Sequence, residues 1–413
     1  MTGPCGEEDE GETLIQRAHR LHVSDDTVAA DKTASTGGPA APDLIPVANA
    51  GTPSLEETLG QQLAELQAQA TLKSDSFLTS GSSASSKVKE GQGITISTDK
   101  EVVEHVGEPY SIRAIAGKGK GLVATTRISK GTRLLSEVPL FRVPRDNPDF
   151  KALERIVENE VNGLDADQRR TFFDLTNIYG NNHSQSLGIA RTNVLPLGSS
   201  ARSGGLFLEA SRINHSCRHN AQNTWNENIG ELTIHALRDI EAGQEITITY
   251  LASTSEYAER QRFLKEKFKF ECQCELCSLP RARRKQSDIR LNKLQAIDKS
   301  IGTFFWGDIE PKTALHLLHT MFALFDEEGI WDASIARAYK DAYDIATENG
   351  DESRARVFAE RAYKARRLIE GDDSPATMQM KQAAEELSAQ TPQEMSKAQF
   401  ANWLWMLDKA SAS

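Results

Sequence analysis

A chain of 413 residues has room for two or three domains, but only 38% of it is hydrophobic, so part of it lacks the means to build a core. A net charge of −11 weighs against a general nucleic-acid binder, since phosphate neutralisation calls for a basic surface, and it suits a basic substrate peptide. No stretch is apolar enough to span a membrane and no basic-then-apolar leader opens the chain, so no membrane association is expected and the nucleus or cytoplasm is the expected location.

The first hundred residues carry one aromatic, Phe77, among many Ala, Ser, Thr, Gly and Asp, and residues 1–104 read as a disordered tail that cannot offset the entropy of ordering. Leucines at 55, 59, 63 and 66 behind Ser54 form a helical stripe, either a partner-docking helix or a transient one. From Tyr110 short β-type runs appear at 110–115, 121–125 and 132–138. The first turn alternates Gly117, Gly119 and Gly121 with Lys118 and Lys120. Bare Cα positions let a backbone approach a ligand, so this turn suits either a plain hairpin or a cofactor cradle.

A helical insert follows at about 147–187. Phe150, Leu153, Ile156, Val157 and Leu164 keep helical spacing, and Asp165 with Gln168 forms a capping box opening a second helix that carries Phe172, Phe173, Leu175 and Ile178. The β-type runs return at 205–208, 232–237 and 245–250. Beyond Pro280 strands vanish, and helices are expected at 288–300, 311–328, 333–349, 352–369 and 375–389, with a last one bearing Phe400, Trp403, Leu404 and Leu407. Small contacts at Ala336, Ala338, Ala342 and Ala346 and a pairing period of roughly forty residues fit tetratricopeptide-like packing or a plain bundle.

Four of the five cysteines are Cys217, Cys272, Cys274 and Cys277. The C-x-C-x-x-C run brings three thiolates to one turn, and a tetrahedral structural zinc needs four, for which Cys217 is the candidate. Disulfides suit this spacing badly because of strain, which leaves a metal or reduced structural cysteines. A nucleic-acid-binding finger is a further reading, opposed by the acidic balance although 281–285 is a short basic run.

These cysteines lie among other signals: Gly117 to Leu122, Gly188 to Asn193, Asn214-His215-Ser216-Cys217, Gly243 to Tyr250, and Phe270 to Cys277. Together, over about residues 107–280, they resemble the SET-domain lysine methyltransferases, in particular the SET-MYND (SMYD-like) branch. The separate MYND zinc module of that branch is missing, since no cysteine lies between Cys5 and Cys217. The resemblance implies an α+β chain: a SET domain of small β-sheets at 105–252, a post-SET zinc segment at 253–280 and an all-α C-terminal lobe at 281–413. It also implies S-adenosylmethionine as methyl donor and a structural zinc held by Cys217, Cys272, Cys274 and Cys277.

By the same resemblance Tyr250 is the catalytic residue, its hydroxyl at the junction of donor and amine. Lys118, Gly119, Lys120, Gly121, Asn193, Asn214, His215 and Phe270 would hold the cofactor, and Phe268 would line the lysine channel where many relatives carry tyrosine. The expected partner is a protein with a target lysine, histone or not, acted on by a monomer. The rival reading is an inactive SET scaffold that binds proteins through the helical lobe. The presence of Tyr250, Asn214 and His215 separates the two in favour of an enzyme.

Overall fold

The computed structural model describes residues 108–145, 149–198, 201–304, 307, 309–387 and 395–406. The tail with its leucine stripe, Cys5 and Leu407 lie outside them. The described residues are α+β, with strands in three small sheets ahead of a helical C-terminal lobe.

Strands β1 (Tyr110–Ile115) and β2 (Gly119–Ala124) form the first hairpin, in register from Tyr110↔Ala124 to Ile115↔Gly119. Its turn needs glycine, because Gly117 and Gly119 sit at φ 73° and 77°. Strands β3 (Arg133–Glu137) and β4 (Phe141–Pro144) follow, then the helical insert, then β5 (Leu195–Pro196) and β6 (Ser203–Leu206). Next come β7 (Asn214–His215), β8 (Ala221–Asn226), β9 (Glu231–Ala236) and β10 (Glu245–Ile248). The sheets run β1-β2-β10-β7, β3-β9-β8 and β4-β6-β5. In the first, β10 pairs antiparallel with β2 and parallel with the two-residue β7, Thr247 opposite Asn214 and Ile248 opposite His215. That parallel pairing draws together two stretches some thirty residues apart in sequence, Asn214 and Thr249–Tyr250 included.

The insert holds α1 (Phe150–Gly163), α2 (Ala166–Phe173) and α3 (Gln185–Asn193). The expected capping box is present: the Gln168 N–H donates to Asp165 Oδ1 at 2.8 Å, and the Asp165 N–H donates to Gln168 Oε1 at 3.2 Å. Helix α2 stops at Phe173, so Leu175 and Ile178 lie beyond it, contrary to expectation. Asp174 turns its carboxylate to Lys120 and Arg212, and the Tyr179 N–H bonds to Asn177 Oδ1, local partners that compete with a continuing helix. Helix α3 goes beyond the expected elements, its Gly188–Asn193 stretch standing out in the sequence as a motif and not as a helix.

Helix α4 (Tyr257–Phe268) was also unforeseen. It buries only Arg260 and Leu264 and has no apolar stripe to read. The lobe then comprises α5 (Arg281–Gly302), α6 (Pro311–Glu328), α7 (Ala333–Glu348), α8 (Glu352–Glu370), α9 (Pro375–Glu386) and α10 (Lys397–Trp405). Helix α5 starts at the basic run itself, ahead of the expected 288. Proline opens α6 and α9, where a missing N–H costs nothing, and Gly329 closes α6 at φ 65°. Successive helices α5 to α9 pack on their chain neighbours, as in helix-pair repeats, over a core that includes Leu318, Ala342 and Phe358.

The lobe docks on the β3-β9-β8 sheet through α8. There Arg133 Nη1 donates to Asp373 Oδ2 at 3.0 Å and Arg133 Nε donates to His235 Nε2 at 3.2 Å. Burial, with the Arg133 charge in addition, pulls the His235 pKa down to about 4. An unfolded histidine takes its proton near 6.5, so this neutral imidazole contributes stability that is complete above about pH 6.5 and drains away as pH falls towards 4, by up to about 3 kcal/mol. Urea unfolding near pH 7 and near pH 4 should therefore show a smaller loss for His235→Gln, which keeps an acceptor for Arg133 without a titrating ring. Identical losses in variant and wild type would remove His235 from that role.

Candidate active site

The β7–β10 pairing sets the geometry. Two residues past Ile248, the Tyr250 N–H donates to His215 Nδ1 at 3.0 Å. A backbone N–H can only donate, so Nδ1 is the bare nitrogen of the ring and the proton sits on Nε2. Nε2 lies 3.3 Å from Cys217 Sγ. Burial pulls the His215 pKa down to about 3, so the ring is neutral and donates one hydrogen bond towards the sulfur. His215 thus ties the backbone of Tyr250 to the cysteine cluster.

The Tyr250 hydroxyl donates to the Ile213 carbonyl at 2.8 Å, which fixes the ring and leaves the oxygen lone pairs for another partner. Burial, with the Glu245 charge adding to it, pushes the phenol pKa up, so the group is un-ionised. Around it the Phe268 ring lies 4.8 Å away, His215 5.3 Å, and Phe270 6.5 Å edge-on. Phe268 ends α4, and Lys269 at φ 60° bends the chain so that Phe268 and Phe270 both reach Tyr250.

Asn193 and Asn214 share a pattern. Asn193 Nδ2 donates to the Thr176 and Ile189 carbonyls at 2.7 and 2.8 Å. Asn214 Nδ2 donates to Glu245 Oε1 at 2.9 Å and to the Lys120 carbonyl at 3.3 Å. Each amide spends its hydrogens on the protein, and each Oδ1 is left without a partner among the described residues, an acceptor for a ligand's donor group. In the glycine turn, the Lys118 and Lys120 side chains pair with Glu245 and Asp174 at 2.6 and 2.7 Å. Residues 117–120 line the cavity, but Gly121 does not. It is glycine for another reason: a Cβ there would come within 2.6 Å of Asn214 Nδ2.

The four thiols converge. Their sulfurs all lie within 4.8 Å of one another, with Cys217 Sγ 3.9 Å from Cys272 Sγ and 3.6 Å from Cys277 Sγ. Zinc bound by four sulfurs at about 2.3 Å sets them about 3.8 Å apart, so the all-thiol donor set and its spacing fit that ion. Leu276 from the same turn is buried in the core of the helical lobe, and Cys217 and Cys274 pack against it. Arg218 extends the tie, with Nη2 donating at 3.3 Å to Glu328 Oε2; the fully buried Glu328 also accepts from Arg290 Nε at 2.5 Å and Ser287 Oγ at 2.6 Å.

One cavity of about 1220 Å³ connects these parts. The glycine turn, Asn193, Asn214, His215, Tyr250, Phe268 and Phe270 line it from the strand side, and Leu291, Met321, Asp332 and Arg337 from the helical lobe. Every expected cofactor residue except Gly121 is on its wall. Sequence reasoning missed Glu245, Asn220 and Arg212. Asn220 clamps β10 by accepting the Thr247 N–H at 2.8 Å and donating to the Glu245 carbonyl at 2.9 Å. Buried Arg212 pairs with Asp174 at 3.0 Å. The only sequence signal for these was polar residues inside runs otherwise destined for burial. Among the described residues no helix is long and apolar enough to cross a membrane.

Residues 119–251 match the SET domain family. The chain is 34% identical over 268 residues to the histone-lysine N-methyltransferase set5 of Schizosaccharomyces pombe, covering 65% of this chain and 81% of that protein. Against human histone-lysine N-methyltransferase SMYD3 it is 34% identical over 113 residues, 27% of this chain and 25% of the relative. Against human protein-lysine N-trimethyltransferase SMYD5 it is 40% identical over 76 residues, 18% of each.

Proposed function

The chain belongs to the SET-domain protein-lysine methyltransferases, and from that membership we propose that its cavity binds S-adenosylmethionine on the strand side and a substrate lysine beside Tyr250, with a structural zinc in the four-cysteine cluster. The observation that carries this reading is the joining of Tyr250 and the thiols through one imidazole, with Asn214 next to it on β7 and on the same cavity wall. We divide the chain accordingly into a SET domain at 105–252 with its helical insert, a zinc segment at 253–280 and a helical lobe from 281. S-adenosylmethionine would supply an activated methyl group for in-line displacement by a neutral amine.

The protein's part is positioning and electrostatics. Asn193 and Asn214 offer acceptor oxygens to the cofactor's donor groups, and Phe270 offers an apolar face to its adenine. Phe268 and Tyr250 present aromatic walls suited to a cationic or methylated amine, and the apolar Phe268 adds no hydrogen-bond acceptor to hold it. The Tyr250 oxygen, its hydrogen committed to Ile213, puts partial negative charge beside the developing transfer. A lysine has pKa about 10.4, and an apolar channel lowers it by disfavouring the charged form. The zinc, with all four positions filled by cysteine, has no vacancy for chemistry and holds the turn that carries Phe270.

Because set5 and SMYD3 are named for histone lysine, histones are the first substrates to test, and nuclear residence follows if they are used. Incubation with radiolabelled S-adenosylmethionine and either core histones or a protein lysate should label protein. Calorimetric titration of the cofactor should show binding at one site. Failure of the wild-type chain to bind it would overturn the reading.

A further inference from the structure

The glycine turn, the cofactor asparagine and the last strand of the first sheet meet at one side chain. Glu245 opens β10 opposite Val123 of β2. Its Oε2 accepts from Lys118 Nζ at 2.6 Å, and its Oε1 accepts from Asn214 Nδ2 at 2.9 Å. Both residues line the cavity, whereas Glu245 stands behind them. The space is tight: a Cβ on Gly121 would lie 2.6 Å from Asn214 Nδ2 and 3.2 Å from Glu245 Oε1, so bare Cα at 121 is what lets carboxylate and amide meet.

An asparagine amide is nearly symmetrical in shape, and its two ends have opposite hydrogen-bonding character. Left alone it presents either end to a ligand. A carboxylate accepts only, so it admits the NH₂ end and rejects the oxygen, and the Lys120 carbonyl, which takes the second hydrogen, enforces the same choice. We propose that Glu245 is a positioning residue for the methyl donor: it fixes the Asn214 amide with Oδ1 facing the cofactor's donor groups while anchoring the glycine turn through Lys118. The inference rests on the cofactor site proposed above. The Lys118 bridge lies partly in solvent and is the weaker half. The Asn214 bond decides which atom the cofactor meets.

The test is calorimetric titration of S-adenosylmethionine into full-length wild type, Glu245→Gln, Glu245→Ala, Asn214→Ala and the Asn214→Ala/Glu245→Ala double variant. Zinc content and melting temperature serve as checks that each is folded. Losing a hydrogen bond to a charged group should raise Kd roughly tenfold to a hundredfold in Glu245→Ala, with Glu245→Gln in between because its carbonyl still accepts from Asn214. The double variant should bind worse than Asn214→Ala by no more than the weak Lys118 bridge contributes, because Glu245 acts mainly through that amide. A wild-type-like Kd in Glu245→Ala, or an additive loss in the double variant, would overturn the proposal and leave the cofactor site standing. No binding by the wild type would overturn both. If Glu245→Ala and Glu245→Gln both lose zinc or melt early, Glu245 is a fold residue and the proposal fails.

Discussion

Cys274→Ser, or removal of metal with a strong chelator, should abolish methyl transfer and weaken S-adenosylmethionine binding by more than about a hundredfold. The size follows from what the cluster holds. Cys274 lies in the turn that carries Phe270 to within 6.1 Å of the His215 ring, and Cys217 receives the His215 hydrogen bond that registers Tyr250. Without a dication, four sulfurs within 4.8 Å of one another either repel as thiolates or hold their protons, and hydrogen bonding to the other three, Cys272 foremost, already pushes the Cys217 thiol up. The core of the strand sheets includes none of the four cysteines, and the lobe core meets the cluster at Leu276, Cys217 and Cys274, so the damage should centre on that contact. Release by a chromogenic chelator should count about one zinc per chain. Far-ultraviolet circular dichroism should keep most of its helical signal. A metal-free chain that still binds and transfers at the wild-type rate would dismiss the structural zinc.

Tyr250→Phe should lower kcat by roughly a hundredfold to a thousandfold, the range for removing one preorganised polar group at a reacting centre. Cofactor affinity should stay within about threefold, because the ring and its contacts with Phe268 and His215 remain. The phenol is held above its ordinary pKa, first by burial and then by the Glu245 charge, so it remains protonated through the usual assay range. Any rise of rate with pH then reports loss of a proton from the substrate amine, and the slope should be the same in variant and wild type. A variant with undiminished kcat would take Tyr250 out of the chemistry. A pH slope that vanished with the hydroxyl would make it a base.

Sequence alone carried the parts of the fold that local chemistry dictates. Strand β1 fell at 110–115 as expected, and the Asp165–Gln168 capping box opened its helix, because alternation, turn glycines and caps are encoded within a few residues. Helix α4 was illegible since Arg260, Leu264 and a charged surface leave no periodic stripe. Strand β7 has two residues, and only its distant partner β10 makes it a strand. At the site, spacing and resemblance drew attention to Tyr250, Asn214, His215 and the four cysteines, which the structure brings to one cavity or its margin. Gly121 was singled out as a cofactor contact, yet its bare Cα serves the Asn214–Glu245 approach. Glu245, Asn220 and Arg212 escaped notice because what they do is set by partners far along the chain.

The two walls of the cavity come from stretches of very different sequence character. The strand side is dense with motif, while the side supplied by Leu291, Met321, Asp332 and Arg337 comes from helices that carry no such motif. Under the proposed function, the helical wall would bear on which proteins fit, and the strand wall would handle the methyl group. The two walls are still joined, because Leu276 sits in the lobe core and Arg218 reaches Glu328, so under the proposed function a change of substrate is to be sought in single side chains of the helical wall and not in the exchange of whole helices.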